Sequence, residues 1–120
     1  MQLFNNNEQN DVKNIINNHC ESLINEIDNH KIRSVVHDFF YNDCFQYFSM
    51  FKQLQQSLQN DAISQDSATE IMIDKTNEIL QKGHRLQEYL EKSGYTQLVD
   101  SIKKIFRKIE VHWGVESQLL

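Results

Sequence analysis

The sequence predicts an all-α chain, a four-helix up-down antiparallel bundle with a long, aromatic-rich second helix. Three observations lead there. The 120 residues contain no proline and only three glycines, and these are the residues that break or weaken helix interiors. Apolar residues recur at spacings of three and four along almost the whole chain, which is the period of an amphipathic helix. The stretches between the apolar stripes are short and polar, so consecutive helices are expected to lie antiparallel beside one another. The length suits one shared core. Residues 1–120 are therefore read as a single bundle, with 1–7 as a flexible N-terminus.

The first helix is expected from about Glu8 to Ile27. Val12, Ile16, His19, Leu23 and Ile27 form its stripe, widened by Ile15, Cys20 and Ile24. Asp28-Asn29 offers a stop and a new N-cap. The second helix should run from about His30 to Gln59. At 1.5 Å per residue it would be roughly 45 Å long, against roughly 25 Å for the fourth. It must therefore break near Asn42-Asp43 or project beyond its partners. Asn60 to Ser67 reads as a turn. Ser67 and Glu70 have the spacing of a capping box that would open the third helix, whose stripe is Met72, Thr76, Ile79, Gly83, Leu86 and Leu90. Ser93-Gly94 reads as its stop, with Gly94 left-handed. Thr96 would cap the fourth helix. Its stripe is Leu98, Val99, Ile102, Ile105, Phe106, Ile109 and Trp113, with Gly114 at its end.

Seven of the twelve aromatic residues fall between Phe39 and Phe51. At about 100° per residue, Ile32, Val36, Phe39, Phe40, Tyr47, Phe51, Leu54 and Leu58 share one face. Tyr41, Phe45 and Phe48 form a second stripe roughly 120° away. On the third helix, Ile73 and Leu80 also lie seven apart and off the main stripe. A helix apolar on two sides must bury both. Either the second helix is central within the chain, or its second stripe meets another protein or a second copy of this one.

The net charge of −5 offers no long-range attraction to nucleic acid or to an anionic membrane. No apolar run approaches the roughly 18 residues of a membrane span, and Met1 to Asn10 carry no signal-peptide pattern. Cys20 and Cys44 form no metal or redox motif, so reduced thiols are expected. The expected location is the cytoplasm, or a host cell reached without a cleaved leader. Asn and Gln, 24 together, read as a polar coat. No cofactor is expected.

Four groups of residues could carry chemistry. His19, Glu26, His30 and His37, separated by 7, 4 and 7, would align on an unbroken helix. Such residues can ligate a metal, but the stop at Asp28-Asn29 interrupts the strip and no metal site is expected. His30-Lys-Ile-Arg-Ser34 resembles the His-x-x-Lys-Gly motif of histidine phosphotransfer domains, with Arg33 and Ser34 standing for its Lys and Gly. The resemblance implies a phosphoryl group carried on His30. Arg107 and His112 resemble the Arg-x4-6-His motif of HEPN-type ribonucleases, with Lys108 where that family has Asn, Asp or His. This implies metal-independent RNA cleavage, with Arg107 steadying phosphate and His112 moving a proton. Lys103, Lys104, Arg107 and Lys108 form a basic ridge opposite the apolar stripe of the fourth helix, diluted by Asp100 and Glu110. It could hold phosphate or face an acidic partner, but the favoured reading is a solvated face whose cations complement the C-terminal end of the helix dipole.

The favoured expectation is a protein-interaction module without catalytic activity of its own, an adaptor, regulator, inhibitor or effector. Tyr41, Phe45 and Phe48 would be its partner-binding residues. The ribonuclease and phosphotransfer readings are the alternatives.

Overall fold

The computed structural model describes the backbone of residues 6–112 and the side chains of residues 11–111. Helix α1 is Asn6–Glu26. Helix α2 is continuous over 30–59 and has three parts: α-helical His30–Asp38, π-helical Phe39–Cys44 and α-helical Phe45–Gln59. Helices α3, Gln65–Lys92, and α4, Thr96–His112, complete the described chain, which contains no strand. The expectation for residues 1–7 lies largely outside the described residues, although Asn6 and Asn7 already belong to α1. Trp113 and Gly114 lie outside them too.

The helices form a ring. Helix α1 packs on α2 and α4, and α3 packs on the same two, while the described backbones do not approach across either diagonal. That is the arrangement of an up-down bundle. The longest dimension, 47 Å, matches α2 at about 45 Å. Helix α2 does not break at Asn42-Asp43. It pairs with the nearly equally long α3, and this hairpin projects beyond the shorter α4, about 25 Å long.

The π-helical segment decides which way α2 faces. Ile32, Val36, Phe40, Cys44 and Phe48 repeat every four residues, and all are buried. On a strict α-helix such a row drifts by about 40° per step, or about 120° from Val36 to Phe48. The wide turns over Phe39–Cys44 absorb an extra residue and cancel the drift. Phe48, assigned by regular α-geometry to the second stripe, is turned into the core instead. It lies against Phe106 of α4 with ring centroids 5.4 Å apart. Tyr47 meets the same ring at 6.0 Å. Aromatic side chains thus bridge the diagonal that the backbones leave open.

The caps follow from local chemistry. Asn29 accepts a hydrogen bond from the Ile32 amide at 3.1 Å and opens α2. Helix α3 starts one turn earlier than the capping-box reading, because Ser64 accepts from the Ser67 amide at 3.1 Å. Ile63 and Ala68 then stand at the two positions of a hydrophobic staple, and Ala68 is buried. Helices α2 and α3 end on the same motif. Ala62 N–H donates to Ser57 C=O and Tyr95 N–H to Leu90 C=O, each at 2.8 Å. The left-handed residue is Asp61, φ 54°, in one and Gly94, φ 85°, in the other. This is the Schellman arrangement. Helix α4 begins with Thr96 as its first residue rather than its cap.

Candidate functional site

The second aromatic stripe is covered by α1. Tyr41 donates its hydroxyl hydrogen to Asn17 Oδ1 at 2.6 Å and stacks on His37 with ring centroids 4.4 Å apart. Phe45 lies beneath Lys13, whose Nζ is 5.8 Å from the ring centroid. Both aromatics are half-buried and pack against the core. The two cysteines lie in the same α1–α2 layer. Burial pushes the Cys20 thiol up to about 12. Burial also pushes Cys44 well up, helped by the nearby Cys20, Asp43 and Glu110. Thiols held neutral in this way are poor nucleophiles and poor metal ligands.

A different face is open. Between α3 and α4 lies a cleft of about 470 Å³, floored by Phe39 of α2. Leu86, Leu90, Val99, Ile102 and Phe106, all buried stripe residues, form its apolar base. Gly83 leaves room in the α3 wall. A Cβ added there would meet Phe39 Cζ at 4.0 Å, an ordinary contact. Packing therefore does not demand glycine, and glycine inside a helix costs about 0.5–1 kcal/mol relative to alanine. Leu80 and His84 stand beside it on the same wall.

The α4 wall is cationic. Lys103, Lys104 and Arg107 line it, and among the described residues no Asp or Glu lines the cleft, in a chain with 17 acidic and 12 basic residues. Among the described residues Lys103 and Lys104 are exposed, and no carboxylate pairs with them. Glu110, expected to dilute this ridge, is fully buried. It continues the four-residue row Ile102, Phe106, Glu110 inward and acts on Tyr47 and Cys44. Asp100, the other expected diluent, is exposed on the same helix. A smaller cavity of about 240 Å³ between α2 and α3 is different in kind. Its cations are already engaged, Lys82 with Asp43 at 3.1 Å and Lys75 with Glu78 at 3.6 Å.

The other candidates stay apart. His30 is the exposed first residue of α2, and Ser34 is exposed nearby. Arg33 turns away into the α1–α2 corner, where its Nε and Nη2 donate to Ile27 C=O at 3.0 and 2.7 Å. Arg107 is exposed on α4, while the His112 side chain lies outside the described residues. His19, Glu26, His30 and His37 are divided by the non-helical turn before α2. Among the described residues no three His, Cys, Asp or Glu side chains come together as a metal group. No helix among them is long and apolar enough to cross a membrane.

Sequence reasoning missed the cleft because it is made by two helices jointly. The signals were Leu80, off the α3 stripe, and Gly83, on it. The chain has no significant match to any family model, curated protein or solved structure.

Proposed function

We propose that this chain is a protein-interaction module that docks a helix of another protein in the α3–α4 cleft. The observation behind this reading is an open apolar cleft with one cationic wall, on an otherwise acidic chain. Recognition of this kind lays the apolar face of an amphipathic helix into a groove, with a few anchor side chains filling it. A cleft of about 470 Å³ has room for such anchors. The Tyr41–Phe45 face is the weaker candidate, since α1 already supplies Asn17 and Lys13 as its neighbours.

The test is a peptide-display selection against the intact chain, counter-screened on Gly83→Leu. Leucine is a good helix former, and its side chain would occupy the gap. The expected result is a set of helical, apolar peptides that bind the natural chain and lose binding to Gly83→Leu. Enriched peptides indifferent to that substitution, or no enriched peptides, would contradict the reading.

A further inference from the structure

We infer that the docked segment is an acidic amphipathic helix, with apolar side chains in the α3–α4 cleft and carboxylates against the α4 wall. This rests on the docking reading above and names the chemistry of the partner. Two independent observations support it, one for charge and one for length.

The first is charge complementarity. Lys103, Lys104 and Arg107 stand along one wall, and the described lining has no carboxylate. Lys103 and Lys104 are exposed, and among the described residues no salt bridge engages them. Cations concentrated beside an apolar groove favour a partner with the opposite charge, speeding encounter and fixing its orientation. Nucleic acid would meet the same lysines, but the chain as a whole repels it at −5 and the apolar base offers it nothing.

The second is the length of the apolar strip. Leu80 edges the cleft. Ile73 lies about two turns further along the same side of α3 and is 56% exposed, one of two large apolar side chains so exposed among the described residues. From Leu90 to Ile73 the strip runs about 25 Å, which suits a docked helix of roughly four to five turns. A small amphiphile would fill the cleft and leave Ile73 unused.

Two fluorescently labelled peptides of roughly 18 residues test this by anisotropy. They share leucines at i, i+4, i+7 and i+11 and differ only in carrying Glu or Lys at the flanking positions. The acidic peptide is expected to bind at least about tenfold more tightly than the basic one, and to weaken as salt rises. The double substitution Lys103→Glu with Lys104→Glu should reverse that preference while circular dichroism stays unchanged, since both side chains are exposed. Equal binding of the two peptides would overturn the acidic partner and leave helix docking standing. Failure of both peptides overturns the inference, and the display selection then decides whether helix docking falls with it. A dimer by light scattering that Gly83→Leu dissolves would place a second copy in the cleft. Oleate binding in the absence of peptide binding would place a lipid there. Either result would also overturn the inference.

Discussion

Two apolar faces of this bundle invite a partner, and they differ in what already covers them. The Tyr41–Phe45 face of α2 carries more aromatic surface, yet α1 meets it with a hydroxyl–amide hydrogen bond and a cation above a ring. The α3–α4 cleft keeps its two aromatics, Phe39 and Phe106, buried in its base, but it has a missing side chain at Gly83 and cations on one wall. Aromatic density in a sequence marks what a fold needs to bury. The docking surface we propose is marked instead by a gap and by exposed lysines beside it.

The sharpest way to break this comparison is at Phe48. If the aromatic cluster is core, Phe48→Ala should cost about 3–5 kcal/mol, read as a fall in the urea midpoint, because the ring is fully buried against Tyr47 and Phe106. A loss below about 1 kcal/mol would return Phe48 to the surface stripe.

The cysteines test whether α1 stays closed over α2. With Cys20 raised from 9.0 to about 12, its thiolate population near pH 8 falls on the order of a thousandfold. Native protein should resist alkylation at both cysteines, and unfolded protein should react at both. The folded thiol holds its proton above the unfolded pKa, so this contribution to stability is complete below pH 9 and is lost as pH rises from 9 towards 12. Urea midpoints constant across that window would contradict the burial, as would rapid labelling of the native protein.

Smaller effects separate the two faces. Phe45→Ala should cost about 1–2 kcal/mol by urea unfolding and leave peptide affinity for the cleft unchanged. Gly83→Ala should stabilise the chain by about 0.5–1 kcal/mol, since helix propensity improves and the new Cβ meets only an ordinary contact. A destabilised Gly83→Ala in thermal melts would mean that α3 needs the glycine for packing.

The helices were legible in the sequence because their stripes obey the α period, and because Asn29 and Gly94 sit where caps require them. The second left-handed stop was not. Asp61 adopts the same backbone conformation as Gly94, but aspartate does so only when context imposes it. The start of α3 was misplaced by one turn because Ser64 and Ser67 both precede plausible helix. Two further residues were misassigned by regular geometry. Phe48 moves inward through the π-helical turns of Phe39–Cys44, and Glu110 is carried inward by its row with Phe106. The cleft itself depends on which residues of α3 face α4, and the periodicity of one helix cannot supply that.

The most direct test of the central claim is an amide chemical-shift titration of the isotope-labelled chain with the acidic peptide. Shifts confined to residues 73–90 and 99–107, with residues 13–17 and 41–45 undisturbed, are the predicted result. Shifts centred on Asn17, Tyr41 and Phe45 would contradict it and return the docking surface to the aromatic face of α2.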